Sequence, residues 1–169
     1  MTRLLLLCAL AALLAPTTAS AKTFTQDVPG DLVRKPLIAI KKVTKLDVLL
    51  PSRMTTDLKK LYSEGRGRAR SYRFEIGAIR NCHSATACFV ASFRARRGAK
   101  PSNPRKVKLR GGRRGYFRPL SCGASCAAPS LQWVQRGVLY TIEGKLGTQR
   151  TDRRILVALA NSAIRNGPR

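Results

Sequence analysis

The sequence predicts an α+β fold: a curved antiparallel sheet of six or seven strands, with a C-terminal helix packed on one face and two local disulfides. Three observations predict it. Residues 130–134 and 138–142 flank Gln135-Arg136-Gly137 as a hairpin, and the first of these strands carries the only tryptophan, Trp133. Short runs of alternating polarity recur upstream between clusters of Gly, Pro and Asn, the pattern of a meandering antiparallel sheet. Residues 151–164 place apolar side chains at helical spacing.

Each element has its own warrant. Arg3, an apolar run over residues 4–14 that includes Cys8, and Ala19-Ser20-Ala21 together read as a signal peptide cleaved after Ala21. The run falls short of the roughly 20 residues that span a bilayer. Residues 22–31 are expected as an exposed leader and 32–169 as a single domain. Val33, Leu37, Ile40 and Val43 give residues 32–45 one apolar face, with Pro36 expected in the first turn, where its missing N–H costs nothing. Residues 46–50 read as a buried strand stopped by Pro51, and 55–61 as one weak helical turn. Residues 63–69, with Gly65 and Gly67 between charges, read as a mobile loop.

Beyond them, Tyr72, Phe74 and Ile76 alternate with polar residues, and Phe89, Ala91 and Phe93 do the same within 87–95. A turn region at 98–104 precedes a short strand with Val107 and Leu109 inward. Gly111-Gly112 then turns the chain into a strand at Tyr116 and Phe117. The last helix is expected to bury Ile155, Leu159 and Ala163 or Ile164, with Thr151 as N-cap and Gly167-Pro168 as its stop. Arg153 and Arg154 oppose the dipole at its start, which favours a binding role for them over a structural one.

Charge bounds the partners. The chain holds 33 basic and 8 acidic residues, a net charge of +25. Without residues 1–21, which include Arg3, it is +24. Arginine outnumbers lysine 22 to 11, a bias that with the alanine content suits a GC-rich bacterial genome. Solubility needs no more than about 8 net charges on a small domain, so a polyanionic partner is implied. For an exported chain that means acidic cell-envelope polymers or an anionic membrane surface, with nucleic acid bound only nonspecifically.

The strongest binding signal is the acid-free run from Arg94 to Arg118. Its candidate polyanion ligands are Arg94, Arg96, Arg97, Lys106, Lys108, Arg110, Arg113, Arg114 and Arg118, with Lys100 and Arg105 between them. Alternation places Lys106, Lys108 and Arg110 on one strand face. Arginine forks grip phosphate and carboxylate, and Tyr116 beside them can stack on a sugar ring or base.

Four cysteines follow the signal segment. Cys82 with Cys88 and Cys122 with Cys126 are expected as local disulfides, although four cysteines allow three pairings. The rival reading is a four-thiolate zinc site, but only the second pair has zinc-ligand spacing. Neither pair has the spacing of a redox motif. Catalytic signatures are sparse: one histidine, His83, and no G-x-S-x-G, P-loop, HExxH or calcium loop. No cofactor is expected. Glu64, Glu75 and Glu143 leave a polysaccharide hydrolase as an alternative, and most of the acids read better as ion-pair partners.

The order Trp133, Gly137, Tyr140, Ile142, followed by Leu159-Ala160-Asn161-Ser162-Ala163-Ile164, resembles the ending of a bacterial extracytoplasmic domain of unknown function. That domain is found on exported lipoproteins and on the outer portions of anti-sigma regulators. Arg114-Gly115-Tyr116 and Leu50-Pro51 fit the same pattern. The resemblance covers the last third of the chain. It implies a curved sheet with a packed helix, similar to lipoprotein-carrier folds, and brings no catalytic residues. It also makes a carrier of lipids or small apolar ligands an alternative, for which an open cavity under the sheet would speak. The combined expectation is a secreted, non-enzymatic binder of anionic envelope polymers. A cationic toxin acting on anionic membranes is a further alternative.

Overall fold

The computed structural model describes residues 24–27, 30–82 and 85–169. The expected signal peptide and His83 lie outside them. The elements are β1 (Phe24–Asp27), α1 (Asp31–Val43), β2 (Arg53–Thr56), β3 (Tyr62–Arg68), β4 (Ser71–Gly77), β5 (Phe89–Arg97) and β6 (Arg105–Lys108). A 3-10 turn at Arg110–Gly112 leads to β7 (Arg114–Arg118), β8 (Ser121–Cys122), β9 (Cys126–Ala127), β10 (Ser130–Gln135), β11 (Val138–Gly144) and α2 (Asp152–Asn166). Seven strands form one antiparallel sheet in the order β3-β4-β5-β11-β10-β7-β6. The α+β architecture with a C-terminal helix is as the sequence predicts.

The register sorts side chains onto two faces. Gly65, Phe74, Phe93, Ile142, Leu131 and Phe117 lie side by side across six strands. Next to them run Gly67, Tyr72, Ala95, Tyr140, Trp133, Gly115 and Val107. This face is the core. Both helices cover it, α1 over β3 and β4 and α2 over β10 and β11. Trp133 stacks on its cross-strand partner Tyr140 at 5.4 Å between ring centroids, and Phe74, Phe93, Leu131, Trp133 and Ile142 are all buried to within 2%. The hairpin between β10 and β11 closes through Arg136 and Gly137, both at positive φ, as a two-residue turn matched to strand twist requires.

Several expectations are corrected. Residues 63–69 are strand β3, not a mobile loop. Their glycines lie on the core face because α1 rests on them: a Cβ on Gly65 would sit 2.7 Å from the Pro36 Cβ and carbonyl, and one on Gly67 2.5 Å from the Val43 Cγ2. Pro36 sits in the second helical turn, not the first. Its ring removes the N–H that would bond Leu32 O, and the Ser63 hydroxyl of β3 donates to that carbonyl instead. Val33, Pro36 and Ile40 form the buried stripe of α1, while Val43 is 51% exposed.

Leu46, Val48, Leu49 and Leu50 are buried as predicted, with Asp47 half-buried, but the segment forms no strand beyond a single bridge from Leu49 to Pro168. Their backbone groups are met by two tyrosines and the chain end. Tyr72 Oη accepts from Leu49 N at 3.1 Å, Tyr140 Oη donates to Asp47 O at 3.1 Å, and Arg169 N donates to Val48 O at 3.0 Å. Burial raises both phenols, Tyr140 to about 12 and Tyr72 further. In contrast Lys60, and then Arg80, pull the surface Tyr62 below its ordinary value.

A pH dependence follows from these shifts. A phenol whose folded pKa is raised holds its proton longer than in the unfolded chain, so the stability it contributes is intact below pH 10 and drains away above it. Absorbance titration at 295 nm should show Tyr62 ionising well before Tyr72 and Tyr140, and those two only in the region where the fold begins to fail. Tyr72 and Tyr140 titrating together with Tyr62 in the folded protein would contradict this.

The segment read as a helical turn at 55–61 instead begins within β2. β2 pairs with β1, so part of the expected leader is an antiparallel strand. Helix α2 buries Leu159 and Ala163 as expected, with Leu156 in place of Ile155 and Ala160 beside them, and leaves Ile155 and Ile164 half-buried. Thr151 precedes it but its hydroxyl gives no capping bond; it accepts instead from Thr148 N at 2.9 Å. Gly167, at φ 71°, ends the helix as expected.

Disulfides join Cys82 to Cys88 and Cys122 to Cys126. This pairing replaces the zinc alternative and accords with an oxidising, extracytoplasmic compartment. No described helix is long and apolar enough to cross a membrane.

Candidate polyanion-binding surface

Among the described residues, the second face of the sheet carries no helix. Alternation places Arg66, Arg73, Arg94, Thr141, Gln132, Tyr116 and Lys106 on it in one line across all seven strands. Strand spacing makes that line about 29 Å long, at about 4.8 Å per strand. On one side of it lie Glu64, Glu75, Ser92, Glu143, Ser130 and Arg118, and on the other Arg68, Ser71, Arg96, Leu139 and Val134.

Topology partly roofs this face. β5 is third in the sheet and β6 seventh, so the connection 98–104 must cross β11, β10 and β7. Side chains below hold this strap down. Gln132 Oε1 accepts from Ser102 N at 2.8 Å and Asn103 N at 3.0 Å. The buried Asn103 Nδ2 donates to Tyr116 O, Ser130 O and Ser130 Oγ at 3.0 to 3.1 Å. Between strap and sheet is a hollow of about 370 Å³, lined by Arg94, Arg96 and Lys100 with Ser71, Ser102 and Thr141. No carboxylate lines it.

The predicted ligands therefore divide. Arg94 and Arg96 converge on the hollow with Lys100. Lys106, Lys108, Arg114, Tyr116 and Arg118 occupy the same sheet face on the other side of the strap, on β6 and β7. Three lie off this face. Arg97 alternates with Phe93 and Ala95 and so belongs to the opposite face, at the strand end. Arg110 lies in the 3-10 turn, not on the strand face with Lys106 and Lys108. Its N–H donates to Asn161 Oδ1 of α2 at 2.7 Å. Arg113 folds back in the same turn, donating to Arg110 O at 3.2 Å. Gly111 and Gly112, both at positive φ, bend the chain away from the sheet there.

Arg66, Arg68 and Arg73 were missed as candidates. Their signal was legible, since in 64–68 the charges alternate with glycine at period two, the pattern of a strand whose other face must stay bare.

The acids share this face. Arg94 pairs with Glu143, and Arg73 with Glu75 at 2.7 Å. Glu64 and Glu75 are cross-strand neighbours and Glu143 lies two strands beyond Glu75, so the three stand side by side on one surface and do not face one another across a cleft. Arg94 is thus oriented by its partner, whereas no described acidic side chain pairs with Arg96 or Lys100. Both disulfides stand at the end of the face near Glu143, where Lys145 Nζ donates to Thr86 O of the first disulfide loop at 2.5 Å.

No protein-family model, curated protein or solved structure gives a significant match to this chain.

The strap is testable alone. Asn103→Ala should leave Ser130 and the Tyr116 carbonyl without their buried donor, at a cost of about 1–3 kcal/mol. Amide exchange should then accelerate in 98–104 ahead of the core strands. Unchanged protection would mean that the strap is held by other contacts.

Proposed function

We propose that the protein is exported by its N-terminal signal, works outside the cytoplasm as a non-enzymatic binder, and holds acidic cell-envelope polymers on its helix-free sheet face. The observation that carries this reading is the convergence of Arg94, Arg96 and Lys100 on one acid-free hollow beneath the strap. Cations continue from it on the unroofed side through Arg73 and Arg66, while Lys106 lies beyond the strap. A linear polymer leaving the hollow over β4 and β3 would meet Arg94, Arg73 and Arg66 on successive strands, and a helix-covered face could not offer this. Tyr116 adds a ring for a sugar to stack on. Anionic membrane surfaces share the required chemistry, and nucleic acid would bind through phosphates without sequence preference.

The engagement of Glu75 and Glu143 with arginines favours a binding role over glycoside hydrolysis. The apolar carrier alternative, which rests on the resemblance to extracytoplasmic lipoprotein domains, requires a cavity between helices and sheet, where the aromatic and aliphatic side chains instead pack to full burial.

The test is binding of the oxidised protein to native envelope fragments across a salt series, against a scrambled peptide of equal charge density. Binding that persists near physiological salt and exceeds the peptide supports a built polymer site. Binding that tracks charge alone and vanishes with salt refutes it.

A further inference from the structure

A second concavity lies away from the sheet face, along the outer side of α2. It has a volume of about 600 Å³ and runs between α2, β2 and the loop after β11. Leu146, Ile155, Ala158 and Leu159 give it an apolar lining, and its cations are Arg154 and Arg165 of α2 and Arg53 of β2. No described acidic side chain lines it. The two arginines of α2 are eleven residues apart, close to three helical turns, so they share one side of the helix about 16 Å apart. That span matches an extended alkyl chain of laurate length. Arg154 lies near the N-terminal end of the helix, where its charge opposes the dipole and no intrahelical benefit compensates. An anion bound there would be favoured by the guanidinium and the helix end together.

We propose that this groove binds a single-chain anionic amphiphile of the fatty-acid class, with its carboxylate on Arg154 and its chain laid over Ile155, Ala158 and Leu159 toward Arg165. A basic surface alone would select only for charge. The apolar lining adds selection for a chain, and the pairing of the two at one groove identifies the ligand as amphiphilic. This site is independent of the polymer surface and stands or falls separately.

The experiment is calorimetric titration of the oxidised protein with laurate below its micellar concentration. Ala158 is exposed on α2, so Ala158→Trp fills the groove without entering the core. The expected results are one saturable site, at least tenfold weaker binding in Ala158→Trp and in Arg154→Ser, and no more than a twofold change in Arg165→Ser. Dodecyl maltoside, with an equal chain and no charge, should bind at least tenfold more weakly than laurate. Far-UV circular dichroism and an unchanged melting temperature verify that the variants fold. The proposal is overturned by laurate binding that Ala158→Trp leaves unchanged, by the absence of a saturable site, or by equal binding of the maltoside. A larger loss in Arg165→Ser than in Arg154→Ser overturns the placement of the carboxylate. Binding to anionic vesicles that Ala158→Trp abolishes, without binding of monomeric laurate, overturns the ligand class in favour of a membrane contact.

Discussion

Replacing Arg94, Arg96 and Lys100 together by serine should weaken binding to a linear polyanion about 100-fold at low salt, from about 1 kcal/mol per cation near an anionic surface. The slope of log affinity against log salt should flatten by about two, since each neutralised contact contributes about 0.7 to 0.9. The decisive comparison is Arg97→Ser/Arg110→Ser/Arg113→Ser, which removes the same charge from positions off the open face. Purely nonspecific attraction responds to net charge, so it would fall equally in both triples. A built site makes the first triple much the weaker binder, and equal losses would refute it. Removing Arg94 strands the Glu143 carboxylate, so the double variant Arg96→Ser/Lys100→Ser, which keeps that ion pair, guards against a mere loss of fold. It should retain the wild-type melting temperature and still show about two-thirds of the triple variant's loss in binding free energy, on the same per-cation estimate.

This comparison was not available from the sequence. Primary structure grouped Arg94 to Arg118 as one acid-free run, and the run was real, but proximity along the chain is a poor guide once a strand turns. Arg110 and Arg113 left the face because two glycines at positive φ redirect the backbone, and the sequence pattern of Val107 and Leu109 could not say where β6 ends. Lys100 entered the hollow because the β5-to-β6 connection must cross three strands, a consequence of strand order that no local pattern carries. The legible parts were those with dense local signals. The Trp133 hairpin, the alternation of Tyr72, Phe74 and Ile76, the disulfide pairs and the glycine stop of α2 all rest on contacts within a few residues or on strict periodicity. Residues 46–50 were legible as buried and illegible as irregular, because their hydrogen bonds come from Tyr72, Tyr140 and the chain end rather than from a neighbouring strand.

The clearest reversal concerns Gly65, and it sets up the second large effect. Glycine among charges suggests freedom, yet here it marks the place where a helix touches a strand. The Gly65→Val substitution adds a β-branched side chain where even a Cβ would come within 2.7 Å of the Pro36 carbonyl and 3.0 Å of Ile40 Cδ1. The carbonyl belongs to helix backbone and cannot rotate aside, so α1 must lift from β3. Lifting it would also pull Leu32 O from the Ser63 hydroxyl, leaving the acceptor that Pro36 already deprived of its helical donor. Valine has the better strand propensity, so an argument from local preference alone predicts stabilisation. The packing argument predicts a loss of about 3 kcal/mol, the upper end of the overpacking range, or a melting temperature lower by about 6–12 °C. A variant as stable as the parent would restore the reading of 63–69 as a loop that α1 does not touch. An intermediate loss in Gly65→Ala, with the same loss of exchange protection in α1, would locate the cause at the helix contact rather than in the strand.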